Sequence, residues 1–320
     1  MPSLVSALGV RSGLQGRDLL RIADWTAGEL ELLLDLADEL KQLQRRREPH
    51  RLLEGRTLGL VFDKPSTRTR VSFEVGMAHL GGTALFLPAE QLQLARGEPL
   101  RDTALVLSRY LDALAVRSSS HEDVTTLARH ASVPVINALT DVAHPCQALA
   151  DMMTLRERFG GLADRRLVWI GDGNNVCSSL LVAAATLGMH VVAAIPSGYE
   201  PPEAALEPAR AAAARSGGSV VLVRDPRRAV AGADALATDV WASMGQEPEE
   251  ARRRADLAAY RIDGELLGAA GPDAIVLHCL PAHEGEEITA EVLYGPRSAV
   301  WDQAENRLHA QKALLALVIR

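Results

Sequence analysis

Short apolar runs alternate along the chain with longer stretches in which apolar residues recur at helical spacing. The first series is RTLGLVF (56–62), TALFL (83–87), DALAVR (112–117) and VPVINA (133–138), with helix-length segments such as DTALVLSRYL (102–111) and HEDVTTLARHA (121–131) between them. A second series begins after residue 165: RLVWIG (166–171), MHVVAAI (189–195), SVVLVR (219–224), ADALAT (233–238) and DAIVLHCL (273–280). Strand–helix–strand rhythm of this kind predicts an α/β chain, and two series predict two domains, each a mainly parallel sheet flanked by helices. The join falls in HPCQALADMMTLRERFGG (144–161), where Pro145 suits a first helical position, Leu149, Met152 and Met153 make one apolar stripe, and Gly160-Gly161 ends the helix. The expected domains are 1–147 and 148–303. AENRLHAQKALLALVIR (304–320) reads as a last helix that could pack on either half, and the charge-rich QEPEEARRRAD (246–256) as a solvated, mobile stretch.

Length agrees with that division, since 320 residues exceed one ordinary core. A hydrophobic share of 48% excludes a disordered tail. The net charge of −7 argues against a general nucleic-acid partner, so a local basic cluster must answer to a local anion. Cys146, Cys177 and Cys279 show no CxxC spacing and fit a reducing compartment. Near the start, apolar residues are broken by Ser, Gly and Arg before a signal core or membrane span could form, so a cytoplasmic protein without a membrane partner is expected; the Arg and Ser there leave a mitochondrial presequence open.

Five segments carry candidate chemistry. Ser66-Thr67-Arg68-Thr69-Arg70 follows a predicted strand and opens a helix whose apolar stripe is expected at Val71, Val75 and Ala78. Hydroxyls, guanidiniums and the amide end of a helix together bind phosphate, although Ser66 or Thr67 as a simple cap is the plainer alternative. In DVAHPCQALAD (141–151), His144 stands at a helix mouth with Gln147 in the first turn, a pair that could polarise a carbonyl and accept from an adjacent NH2, although a His-Pro helix start taken alone reads first as a cap. GDGNNVCSSLL (171–181) invites a dinucleotide reading, but Val176 occupies the third glycine position and no acidic residue follows the next strand, so Asn174 and Asn175 suit an amino-acid head group or a left-handed turn instead. In TDVWASMGQE (238–247), Asp239 at a strand end could hold an ammonium, with Ser243 and Met244 in the loop beyond. In LHCLPAHEGEEI (277–288), Cys279 beside His278, with His283 beyond, reads as nucleophile, metal ligand or polar lining; no paired ligand spacing supports zinc.

Taken together, SerThrArgThrArg (66–70), EPLRDTALVLSRYLDALAVR (98–117), HPCQ (144–147), GDGNN (171–175), DVWASMG (239–245) and HCLP (278–281) resemble the aspartate/ornithine transcarbamylase family, in its ornithine carbamoyltransferase branch. The resemblance spans nearly the whole chain. It implies a transcarbamylase-like fold with residues 304–320 packed back on the first domain, no cofactor and no metal. It implies that Ser66, Thr67, Arg68, Thr69 and Arg117 hold the phosphate of carbamoyl phosphate, that His144 polarises the carbamoyl oxygen with Gln147 on its amide, and that Arg307 reaches the same place. Gln93 would complete a neighbouring subunit's site in a homotrimer. Asn175, Asp239, Ser243 and Met244 would grip L-ornithine, and Cys279 and Leu280 would face its δ-amine, with Arg117, His144 and Cys279 in the catalytic roles. The implied reaction is direct attack of the neutral amine on carbamoyl phosphate to give L-citrulline and phosphate, in arginine biosynthesis.

Overall fold

The computed structural model describes residues 13–242 and 247–319, so Ser243, Met244 and Gln246 lie outside the described residues. The chain divides into two compact units, one running to Met153 and resuming at Asn306, the other Thr154–Glu305. The first division falls inside the helix Pro145–Phe159, at Met153 rather than at residue 147. Most of the last helix, Val300–Val318, belongs to the first unit. There Asn306 Oδ1 accepts from Lys41 Nζ at 2.7 Å, and Lys312 Nζ donates to Gln44 Oε1 at 2.7 Å, which ties it to the helix Ala27–Arg45.

The first unit holds a four-stranded sheet in the order β2-β1-β3-β4, formed by Thr57–Phe62 (β1), Thr83–Pro88 (β2), Ala113–Arg117 (β3) and Val135–Leu139 (β4). The second holds five strands in the order β7-β6-β5-β8-β9: Arg166–Ile170 (β5), His190–Ala194 (β6), Ser219–Val223 (β7), Ala235–Thr238 (β8) and Ile275–His278 (β9). All pairings are parallel. Helices cover the central strands, which is why these read as near-continuous apolar runs, while the edge strands β2 and β7 are only partly buried. In the second unit the alanine-rich helix Asn175–Thr186 is buried from Val176 through Ala185, and Ala185 meets Ala212 and Ala213 of the helix Glu203–Ser216. Small side chains let two helices approach this closely.

One device recurs where strands begin. Asp112, just before β3, accepts from Thr57 N of β1 at 2.8 Å and from Arg56 Nη1 at 2.9 Å. In the other unit Asp234, just before β8, accepts from Arg166 N of β5 at 2.7 Å and from Arg165 Nη1 at 3.1 Å. Asp18 does the same for Val135 N of β4, at 2.7 Å. Each carboxylate satisfies the first amide of a neighbouring strand, which has no ladder partner of its own, and so sets the register.

Two expectations are corrected. The helix Thr67–His79 buries Thr69, Ser72, Phe73, Gly76 and Met77, while Val71 is exposed, Val75 half-buried and Ala78 exposed. The buried stripe is rotated from the expected one: Phe73 and Met77 supply its apolar bulk, with Ser72 and Gly76 beside them. The stretch 246–256 is not an open loop over its described part: Glu250–Leu257 is a helix, and Arg253 is buried. Among the described residues no helix is long and apolar enough to cross a membrane.

Replacing Asp234 or Asp112 by Ala removes a charge-assisted bond to a strand amide and is expected to lower stability by about 1–2 kcal/mol, since the carboxylates are partly solvated. Urea denaturation measures this; unchanged midpoints would remove the role assigned to them.

Candidate active site

In the first unit the helix after β1 leads to β2 on one side, while β3 lies on the other. Where strand order reverses in a parallel sheet, the carboxyl ends of the two neighbouring strands open a crevice. Phe62 and Arg117, paired in register, stand at those ends. Ser66 takes the position just before the helix Thr67–His79, but its side chain makes no cap bond to the helix amides. It accepts instead from Arg117 Nη1 at 3.3 Å. The simple-cap reading of Ser66 is thereby overturned. Thr69 is buried and accepts from Arg307 Nη2 at 3.0 Å, across 238 residues of sequence.

His144 is buried just before the helix Pro145–Phe159. Burial first, then the positive charges of Arg307, Arg117 and Arg68, hold its imidazole well below the usual histidine range. Burial and the positive charge of three guanidiniums thus both favour its uncharged form. Gln147 is oriented at both ends, donating from Nε2 to Asp151 Oδ1 at 2.8 Å and accepting at Oε1 from Arg307 Nη1 at 2.7 Å. Arg307 thus links Gln147 to Thr69. Arg70 turns away from this group: it pairs with Glu74 at 3.0 Å and lies 3.8 Å over the Phe86 ring. It lines a cavity of about 610 Å³ together with Lys64, Ser66, Thr67 and Glu90. Gln93 is exposed on the short turn Gln93–Arg96 and is not part of that lining.

The second unit repeats the reversal between β5 and β8. Gly171, with φ of 125°, and Gly173 open the loop after β5; a Cβ on Gly173 would stand 2.4 Å from Pro201 N and 2.5 Å from Tyr199 O. The glycines serve backbone geometry, with no dinucleotide motif needed. Asn174 caps the helix Asn175–Thr186, accepting from Val176 N and Cys177 N at 3.0 Å, with φ of −73°, so the left-handed turn reading does not hold. Its Nδ2 donates to Asp239 Oδ2 at 2.8 Å. From β9, Cys279 Sγ donates to Asp239 Oδ1 at 2.9 Å. Asp239 therefore receives a donor from each flanking strand end. Asn175 Oδ1 accepts from Val176 N at 2.9 Å.

Behind Asp239 lies Asp172, which burial pushes up to about 6 against the opposing pull of Arg253. Arg253 Nη1 bonds Asp172 Oδ2 at 3.0 Å and Trp241 O at 3.1 Å, and its Nε bonds Glu249 Oε2 at 3.1 Å. One buried guanidinium thus fastens the loop after β5, the end of β8 and the helix Glu250–Leu257. His278 is buried with Glu287, Nε2 to Oε1 at 3.0 Å, and its Nδ1 accepts from Leu280 N at 2.9 Å. Both ring nitrogens are engaged, so His278 is not available as a metal ligand in this arrangement. Leu280, at φ of 59°, is held in a conformation that side chains rarely adopt, before a cis bond to Pro281. Burial pushes the Cys146 thiol up to about 11 and raises Cys177 as well, which leaves half-exposed Cys279 as the accessible sulfur.

Asp172, Arg253 and Glu287 were missed from sequence, as was the capping role of Asn174. For Asn174 the signal existed, an Asn immediately before an apolar helix. Arg253 sits in a charge run that reads as solvated, and Glu287 carries no local signal at all.

Residues 17–157 match the family described as aspartate/ornithine carbamoyltransferase, carbamoyl-P binding domain, and residues 163–318 match its Asp/Orn binding domain. The anabolic ornithine carbamoyltransferase of Pyrococcus furiosus is 56% identical over 306 residues, 96% of this chain and 97% of the relative. The ornithine carbamoyltransferase of Symbiobacterium thermophilum is 54% identical over 309 residues, 96% of this chain and 99% of the relative. Among solved structures, the Pyrococcus furiosus ornithine carbamoyltransferase superposes with a TM-score of 0.93 over 96% of this chain and 98% of that one. The Thermus thermophilus ornithine carbamoyltransferase, 47% identical, gives 0.84 over 95% and 99%. With both family domains matched in order and relatives of this identity aligned along nearly its whole length, the chain belongs to the aspartate/ornithine carbamoyltransferase family.

Proposed function

We propose that the chain transfers the carbamoyl group of carbamoyl phosphate to the δ-amine of L-ornithine, releasing L-citrulline and phosphate. The observation that carries this is the convergence of Arg68, Arg117 and Arg307 on an uncharged His144, beside Ser66 and Thr69, at a sheet reversal. Such a cluster suits a dianion with a carbonyl attached. Arg68, Arg117, Ser66, Thr67 and Thr69 take the phosphate through charge-assisted bonds, and His144 donates to the carbamoyl oxygen. A neutral imidazole can do this without adding a cation, and Gln147 with Arg307 orients the amide. Asp239, with Asn174 and Cys279 bonded to it, offers the second unit's carboxylate for the α-ammonium of an amino acid. Asn175, Ser243, Met244, Cys279 and the Leu280 carbonyl complete the acceptor set by family likeness.

The amine attacks the carbamoyl carbon, negative charge builds on the carbamoyl oxygen against His144 and the arginines, and the C–O bond to phosphate breaks. The attacking nitrogen then loses a proton. Only the neutral amine is nucleophilic, and with an ordinary pKa of about 10.4 it costs roughly 3 kcal/mol at pH 8 unless the site lowers it. The biosynthetic direction is supported by the word anabolic in the Pyrococcus relative's name. A cytoplasmic homotrimer, with Gln93 reaching a neighbour's site, completes the proposal; the exposure of Gln93 on its turn is compatible with it.

The test is purified protein with carbamoyl phosphate and, separately, ornithine, putrescine, N-acetylornithine and aspartate, with ureido product and phosphate both quantified. Citrulline from ornithine alone is expected; product from another amine would overturn the acceptor assignment. Arg68→Ala is expected to weaken carbamoyl phosphate binding by about ten- to a hundredfold while leaving the KM for ornithine near its original value. An unchanged KM for carbamoyl phosphate would remove Arg68 from the phosphate site. The rate of the chemical step is expected to rise from pH 6 to pH 9 as the amine loses its proton, by up to about tenfold per pH unit. A flat profile would contradict attack by the free amine.

A further inference from the structure

The turn Thr140–His144 leaves β4 and delivers His144 to the arginine cluster. It is held by a chain of side chains that starts far away in the sequence. Arg21 Nε donates to His121 Nε2 at 3.0 Å. An arginine Nε always carries its hydrogen, so Nε2 of His121 is the acceptor and the ring hydrogen sits on Nδ1. That Nδ1 lies 3.0 Å from Thr140 Oγ1, to which it donates. Thr140 is wholly buried and closes the turn on Ala143, with Thr140 N to Ala143 O at 2.9 Å and Ala143 N to Thr140 Oγ1 at 3.2 Å. The backbone of His121 is pinned to the same turn through Asp141 Oδ1, at 2.9 Å. His144 follows Ala143 directly.

We infer that His121 is a positioning residue for His144, held as its Nδ1–H tautomer between Arg21 and Thr140 so that the turn bearing His144 has one geometry. The inference rests on the proposed carbamoyl transfer and deepens it, since it assigns the orientation of the oxyanion donor to a side chain that does not touch substrate. Displacement of a reacting group by about 1 Å can cost on the order of a hundredfold in rate. The charged groups facing His121 are Arg21 and Asp24 from the N-terminal segment, Asp141 from the turn and Glu122 from its own helix. Burial, then Arg21, lower its pKa, and the three acids oppose them. Protonation would place a hydrogen on Nε2 against the Arg21 donor and break the chain. The arrangement is therefore intact above the ordinary histidine range and lost as the pH falls through the lowered value.

The experiment compares wild type, His121→Phe, His121→Gln and Thr140→Val in the full-length protein, with kcat and both KM values read across pH and folding followed by circular dichroism. His121→Phe and Thr140→Val are expected to lower kcat by about tenfold or more with the KM for ornithine held within about twofold. Gln can accept from Arg21 and donate to Thr140 but does not titrate. His121→Gln is expected to keep kcat within about threefold at pH 8, with the ratio of variant to wild-type kcat rising as the pH falls, which a merely structural histidine would not produce. Wild-type kcat from a folded His121→Phe protein, or a pH-independent His121→Gln ratio, would overturn the inference alone. No ureido product from wild type would overturn the proposed function and this inference with it. If His121→Phe does not fold, the His121→Gln ratio decides.

Discussion

The reversal of strand order in each parallel sheet is the constraint on which everything else depends. At the reversal two neighbouring strands end side by side with helices departing to opposite faces, so the chain emerging from one carboxyl end can meet the chain emerging from the other. In the first unit this sets Ser66 against Arg117; in the second it sets Asn174 against Asp239. No local sequence preference could bring these pairs together. The register of β1 on β3 and of β5 on β8 does, and the carboxylates of Asp112 and Asp234 fix that register at the opposite ends of the strands.

The two reversals carry opposite electrostatics. Around His144 the protein gathers guanidiniums, and the imidazole responds by staying neutral. Among the described residues, the side chains that donate to the Asp239 carboxylate are the amide of Asn174 and the thiol of Cys279. The buried cation Arg253 is committed one step back, to Asp172. The two units thus differ in their choice of partners and not in net charge alone.

Much of this was legible in the sequence. The strand runs fall within a residue or two of the observed strands because buried parallel strands leave an apolar trace that depends on nothing else. The helix starts near residue 66 and at Pro145 were legible as well, since a hydroxyl or a proline at a helix mouth is a local signal. What failed was whatever depends on distant partners. Val71 is apolar and exposed, while Phe73 and Met77 are buried with Ser72 and Gly76, because the sheet the helix packs on, and not its own composition, selects the face. Arg253 looked solvated because its partner Asp172 lies 81 residues away. The engagement of His278 by Glu287 and by Leu280 N could not be seen in a HisCysLeuPro string whose side-chain partner is buried beyond it.

The return of the last helix to the first unit has a consequence for how the chain is made. Arg307 Nη2 bonds Thr69 and Lys312 Nζ bonds Gln44, contacts that close only after the whole second unit has been synthesised. A ribosome delivers the chain from its N-terminus, and domains ordinarily fold as they emerge. Here the first sheet can assemble early, but its interior keeps the slot for Asn306 onward open while the intervening 154–305 are translated and folded. The unit that begins first therefore finishes last, and the half-built state presents apolar helix faces to the cell for as long as synthesis of the second unit takes.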